Sequence, residues 1–189
     1  MGKMGVDRHP RACGACTLCC RVLEIQELAK PADVSCNHIV AGRGCAIYGR
    51  HPASCRTFAC LWLESTLVPE ASRPDRSRVV LVMDADGTRL MAHCEPADAL
   101  AWRREPVHGI LRQRAQESWD VGTRVIAKAG DQMWLVCPDE DLDLGRIDPA
   151  APYRIEETPA GELRVSILSP GARGSTPPVV RVLRTRRDQ

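Results

Sequence analysis

The feature that most constrains this chain is a dense run of thiols. Between Cys13 and Cys60 the sequence places Cys13, Cys16, Cys19, Cys20, Cys36, Cys45, Cys55 and Cys60, eight of its ten cysteines. Thiolates are soft, negatively charged donors that suit zinc, Cu(I) and iron–sulfur clusters. The same stretch holds few large apolar side chains, so a hydrophobic core of its own is a poor expectation. A bound metal would take over that role, since structural zinc supplies folding free energy of about 10 kcal/mol or more per site in small modules. The segment is therefore expected to fold around metal, and all eight cysteines are its candidate ligands.

Disulfides are the competing use of so many cysteines. The first residues, MGKMGVDRHPRAC, contain no apolar run and no small-residue cleavage pattern, so a secretory signal is not expected. No stretch approaches the ~20 apolar residues that span a bilayer, and a soluble cytoplasmic protein without a membrane partner is the expectation. Thiols stay reduced in that compartment, and clustered cysteines there point to metal or redox chemistry.

Spacing refines this. Cys13-x-x-Cys16-x-x-Cys19-Cys20 begins with the C-x-x-C turn that lets two sulfurs converge on one centre. The ferredoxin run would continue with a cysteine at position 23, which is leucine, so a simple bacterial ferredoxin is disfavoured. Cys19 and Cys20 are adjacent, and neighbouring side chains diverge by about 100° in a helix. Such a pair serves two nearby centres, or one sulfur ligates while the other packs. Leu18, Val22, Ile25 and Leu28 fall at helical spacing before Pro31. A helix from about Thr17 to Lys30 would put both cysteines in its first turn, where the dipole favours thiolate; a short strand over 21–26 is the alternative. Gly42 and Gly44 allow positive φ and close backbone approach beside Cys45. Pro52 is placed to present Cys55 at the start of a helical turn. Phe58, Trp62 and Tyr48 are expected to pack over the centre; Arg56 donates to sulfur or to carbonyls, or is a surface residue. His38 is a ligand, a neighbouring donor or a solvated loop residue.

Taken together, CxxCxxCC, the Gly-Cys-x-Ile-Tyr segment at 44–48 and the His-Pro-x-x-Cys-Arg-x-Phe segment at 51–58 resemble the YkgJ-type cysteine-cluster family, described by its zinc or iron chelation. The likeness runs from Cys13 to about Trp62, roughly a third of the chain. It implies a chelating CxxCxxCC domain and supplies no reaction. The chain departs from the family in carrying His51 where an arginine usually precedes the proline.

The rest of the chain reads as α+β, with β-hairpins and one or two helices against which the Cys-rich module packs. The expected organisation is a metal-chelating module over 1–66, an α+β region over 67–169 and a basic, disordered tail over 170–189. An apolar fraction of 44% suffices for a core. Strands are expected over 78–84 and 88–93 around Asp86-Gly87, over 123–129 and 132–137 around Gly130-Asp131, and over 153–157 and 163–168. Short helical stretches are expected over 98–104 and from Pro106 to about Trp119. Cys94 and Cys137 read as buried core thiols. His108 reads as a surface or packing residue. Asp139, Glu140, Asp141 and Asp143 lack the glycine and terminal glutamate of a calcium loop and read as a solvated loop.

Function narrows accordingly. The chain shows no Ser-His-Asp spacing, HExxH, dinucleotide fingerprint or CxxxCxxC, and an all-cysteine site is closed to substrate, so enzyme activity is disfavoured. A net charge of +2 exerts little pull on nucleic acid. Trp102, Trp119 and Trp134 are too few to stack single strands. The leading expectation is a protein that chelates zinc or an iron–sulfur cluster. The alternatives are an iron–sulfur redox or accessory protein, and an interaction module for a protein or nucleic-acid partner.

Overall fold

The computed structural model describes residues 11–84, 87–148, 153–158, 162–167 and 179–183. The Cys-rich stretch contains almost no regular structure. It holds a one-turn helix α1 (Cys19–Val22), the two-residue strands β1 (Ile39–Val40) and β2 (Gly44–Cys45), and the short helices α2 (Ala53–Thr57) and α3 (Leu61–Glu64). A further single turn, α4 (Pro74–Ser77), leads into a five-stranded sheet. Its strands are β3 (Val79–Met83), β4 (Arg89–Cys94), β5 (Arg124–Ala129), β6 (Gln132–Val136) and β7 (Asp141–Arg146), paired in that order. One longer helix, α5 (Val107–Ser118), lies between β4 and β5 in the chain. Beyond the sheet, β8 (Tyr153–Glu157), β9 (Leu163–Ile167) and β10 (Val179–Leu183) form a second, three-stranded antiparallel sheet.

The α+β class is therefore present, and the expected hairpins pair as the sequence suggests: Val79 opposite Cys94, Ala129 opposite Gln132, Glu157 opposite Leu163. What the hairpins do not reveal is how they join. β4 and β5 pair in parallel, Arg89 opposite Arg124, which makes the sheet mixed. A parallel step requires a crossover of a dozen or more residues, and α5 with two 3₁₀ turns at Pro96–Asp98 and Ala101–Arg103 supplies it.

Alternation along the strands sorts the core. Val79, Leu81, Leu90, Ala92, Val125, Ala127, Trp134 and Val136 point to one face, where Val107, Leu111 and Ala115 of α5 and the fully buried Trp102 cover them. The opposite face is divided. Toward β3, Val80 packs with Leu18, Val22, Cys60, Trp62 and Val68. Toward β6 and β7, Ile126, Met133, Leu135 and Leu144 pack with Leu163 and Val165 of β9. Coverage on both faces explains why β3 reads Val-Val-Leu-Val-Met without polar alternation. The Cys-rich stretch is thus docked on the β3 end of the sheet. Glu95, at the end of β4, holds it there by pairing with Arg21 of α1 at 3.1 Å and with Arg78.

Three expectations change. The helix over 17–30 is a single turn: Leu23 is extended (φ −93°, ψ 148°), Ala29 is left-handed (φ 48°), and Ile25 and Lys30 exchange backbone hydrogen bonds of 2.9 and 3.1 Å. Leu18, Val22 and Ile25 are nonetheless buried, at 3%, 1% and 7% exposure. The apolar spacing thus reported a buried face rather than a continuous helix. The acidic cluster is solvated at Asp139 and Asp143, but Asp141 opens β7 and is not. Its carboxylate, 13% exposed, takes Arg112 at 2.9 Å, His108 at 3.1 Å and Arg103 at 3.8 Å, sewing α5 and the preceding 3₁₀ turn to the sheet. The tail expected to be disordered contributes β10, paired with β9 from Val179↔Ile167 to Leu183↔Leu163; its remaining residues, 170–178 and 184–189, lie outside the described ones.

Candidate metal centre

All ten cysteines are free thiols. Cys94 and Cys137 are buried in the cores on opposite faces of the sheet, as the sequence suggests, and burial pushes both thiols up to about 12. The other eight gather around one cleft and an adjoining pocket on the N-terminal module. The cleft, of about 510 Å³, is lined by Cys13, Cys16, Cys19, Cys20, Cys36, Cys45 and Cys55. The pocket, of about 20 Å³, is lined by Cys13, Cys16, Cys19 and Cys60. Every candidate from the CxxCxxCC motif to Cys60 therefore belongs to one locality.

Short backbone devices bring them together. The Cys13 carbonyl accepts from Cys16 N at 3.0 Å, which closes the C-x-x-C turn, and the Cys20 carbonyl accepts from Cys36 N at 3.0 Å. β1 and β2 pair Ile39 with Cys45. Gly44 has φ +94°, and a Cβ there would meet the Gly14 carbonyl at 2.7 Å; only glycine lets the Cys45 strand lie this close to the first cysteine turn. Glu27 anchors α2, accepting from Ala53 N at 3.1 Å and Ser54 N at 2.9 Å, so that Cys55 enters on a fixed turn. The Ser54 hydroxyl also donates to this carboxylate, and it leads the backbone bonds in holding the Glu27 carboxyl below its ordinary range. Arg73 donates to the Cys13 carbonyl at 3.2 Å. Arg11 donates to the carbonyls of Trp62 and Ser65 at 2.8 and 2.9 Å, and both guanidiniums lie over the Trp62 ring.

The thiols respond to this crowding. Burial raises Cys13, Cys16, Cys55 and Cys60. Neighbouring sulfurs raise Cys13 and Cys55 further: Cys60, Cys16 and Cys20 act on Cys13, while Cys20, Cys36 and Cys45 act on Cys55. The sulfurs of Cys19 and Cys20 stand 3.9 Å apart. Their contact shifts the two thiols apart, raising Cys19, with burial adding to it, and lowering Cys20 against burial. The helix dipole expected to favour thiolate has little to offer, because α1 is one turn long.

Lys30 was not anticipated. It is 6% exposed, and its ammonium donates to the carbonyls of Arg21, Leu23 and Pro31. Among the described residues no carboxylate lies within ion-pair distance of it; burial lowers it, and the sulfurs of Cys36 and Cys20, the Asp33 carboxylate and the Cys19 sulfur favour its charge. A buried cation with sulfurs foremost among its anionic neighbours fits a site built for thiolates. Nothing in the sequence marks it: a lysine before proline at the end of an apolar stretch ordinarily reads as solvent-facing.

The aromatic and polar neighbours divide. Phe58 and Trp62 line the pocket over Cys60, as expected. Tyr48 does not exclude water; it is 67% exposed and stacks on His51, ring centroids 5.0 Å apart, at the cleft rim. His51 accepts from Gly49 N at 3.1 Å, and Arg56 donates to the His51 carbonyl at 3.3 Å. His38 lines the cleft, half-buried. Among the described residues no three His, Cys, Asp or Glu side chains stand at coordination spacing. As thiols the sulfurs have little to pull them into contact; the attraction of an ion would supply it. The donor set itself, eight free sulfurs around one cleft with a buried cation beside them, fits a soft metal or an iron–sulfur cluster.

Comparison of the chain with protein-family models, with curated proteins and with solved structures found no match. Among the described residues no helix is long and apolar enough to cross a membrane.

Proposed function

We propose that this protein binds metal, holding zinc or an iron–sulfur cluster through Cys13, Cys16, Cys19, Cys20, Cys36, Cys45, Cys55 and Cys60. The observation that carries this is the sorting of the cysteines: these eight line one cleft and its adjoining pocket, while the two outside the motif are packed away in the cores. The likeness of the motif to the YkgJ-type cysteine-cluster family supports the same reading, and free thiols accord with a reducing, cytoplasmic location. Thiolate ligation would tie α1, the β1–β2 hairpin and α2 into one body. The test is elemental analysis and an absorption spectrum of protein purified without oxygen. Brown protein with iron and labile sulfide identifies a cluster, colourless protein with stoichiometric zinc identifies a structural site, and folded, fully reduced protein with neither rejects the proposal.

A second reading is favoured by the breadth of the cleft. An accessory or interaction role would use the metal-bound module as a rigid platform for a protein partner, with His38, His51 and Tyr48 at the rim of the contact surface. Affinity capture with the metal-loaded chain against a Tyr48→Ala/His51→Ala chain tests it; equal capture removes the rim from consideration.

A further inference from the structure

We infer that the eight cysteines form two separate thiolate centres, an inner one of Cys13, Cys16, Cys19 and Cys60 and an outer one of Cys20, Cys36, Cys45 and Cys55, and that the outer one exchanges its metal first. This rests on the metal-binding reading above and divides the ligands between sites, which spacing alone left open.

The division follows from which surfaces the sulfurs share. Cys60 lines the inner pocket and not the cleft; Cys20, Cys36, Cys45 and Cys55 line the cleft and not the pocket. Cys13, Cys16 and Cys19 line both, so they form the wall between the two spaces. The backbone agrees. Cys13 and Cys16 share one turn, whereas Cys36 hydrogen-bonds through its amide to Cys20. Apolar packing agrees as well: Cys16, Cys19 and Cys60 sit in the cluster of Leu18, Val22, Trp62 and Val80, and none of the outer four does. The adjacent pair Cys19-Cys20 is then the seam. Two neighbouring side chains on one helical turn diverge by about 100°, which lets one serve each centre, and sulfurs 3.9 Å apart would keep the two centres adjacent.

The two centres differ in surroundings. The inner pocket is walled by Phe58, Trp62, Leu63, Pro74 and Val80, and Cys60 is 6% exposed. The outer centre opens on the 510 Å³ cleft. A competing ligand reaches a metal in the cleft without displacing any core side chain, whereas the inner one is covered on its Cys60 side by Trp62 and Val80.

The test uses the full chain, stripped under reducing conditions, reloaded with Cd²⁺ alone and counted by native mass spectrometry. The expected count is two cadmium ions per chain. Paired replacements Cys36→Ser/Cys45→Ser and Cys13→Ser/Cys60→Ser should each retain one ion. Release from the unaltered chain into a chromophoric chelator should be biphasic with equal amplitudes, and the Cys36→Ser/Cys45→Ser chain should lack the fast phase. This kinetic measurement stands even if a variant fails to fold. No cadmium on the unaltered chain would overturn the metal-binding reading itself. A single ion per chain, or one release phase, would overturn the two-centre assignment while leaving metal binding intact. Loss of the slow phase from the Cys36→Ser/Cys45→Ser chain would reverse the inner and outer roles and refute the inference as stated.

Discussion

The two halves of this molecule are stabilised by different means. From β3 to β7 the chain is an ordinary buried core: Val79, Val80, Leu90, Trp102, Leu111, Ile126, Leu135 and Leu144 are all at or below 2% exposure. In the stretch from Cys13 to Cys60 only Val22 reaches that level, and the regular elements are two to five residues long. Helices of one turn are not stable by themselves, because nucleation is costly and few bonds follow it. The first region holds itself together by apolar burial. The second leans on the sheet through Leu18, Val22 and Trp62, on side-chain anchors such as Glu27 and Glu95, and on whatever joins its sulfurs. The contrast shows how one short chain can spend its apolar residues on one body and its donor atoms on another.

The sharpest way to break that contrast is to remove the proposed metal. Chelation under reducing conditions should destabilise the module by about 10 kcal/mol per site, which is enough to unfold it. Hydrogen exchange followed by mass spectrometry should show amides over 13–60 losing protection while β3–β6 keep theirs; equal loss in both regions would mean that the sheet depends on the metal too. Next in size is Trp102→Ala. It opens a void under α5 and should cost about 3–5 kcal/mol in denaturant unfolding of the sheet, with metal content per folded chain unchanged.

Lys30→Met tests the seam between the regions' chemistries. It removes the buried ammonium beside Cys20 and Cys36 and leaves three carbonyls unpartnered. Metal affinity, measured by chelator competition, should fall by about 10–100-fold, while the thermal transition of the sheet should move little.

Acid should strike the sheet side. Burial, with Lys128 adding to it, holds His93 on β4 down to about 3, so the neutral imidazole is the form that the fold accepts. The sign follows: its contribution is complete above the ordinary histidine value of about 6.5 and is lost as pH falls toward 3. Asp33 shares this region, near Lys128, and burial raises it, so its contribution runs the other way, present at low pH and lost as pH climbs. His93→Leu should lower the acid-unfolding midpoint by up to about one pH unit; an unchanged midpoint would show that the folded protein accepts the His93 proton without penalty. The smallest effect belongs to Cys137→Ala, about 1 kcal/mol of stability from a small buried side chain, with no loss of metal.

How much of this was legible beforehand differs between the regions for a physical reason. Local chemistry was readable: the turn at Gly130-Asp131, the strand runs, the helix after Pro106 and the ligand-type residues all announce themselves within a few positions. Pairings that depend on distant residues were not. The parallel joint of β4 and β5 depends on where α5 packs, and Asp141 looks like surface until Arg103, Arg112 and His108 arrive from elsewhere in the chain. The helix over 17–30 misled because a buried face at helical spacing can also be met by one turn, an extended residue and a 3₁₀ turn.

By itself the sequence determined the donors: eight sulfurs between positions 13 and 60, the glycine that lets Cys45 approach, and apolar runs sufficient for a sheet. Tertiary structure decided the neighbourhoods: which sulfurs share the pocket and which the cleft, that Lys30 is buried beside them, and that the module rests on β3. Donor chemistry is a property of single side chains, whereas proximity between Cys13 and Cys60 depends on how the intervening residues fold back, and that is settled only when the apolar faces of Val22, Trp62 and Val80 meet.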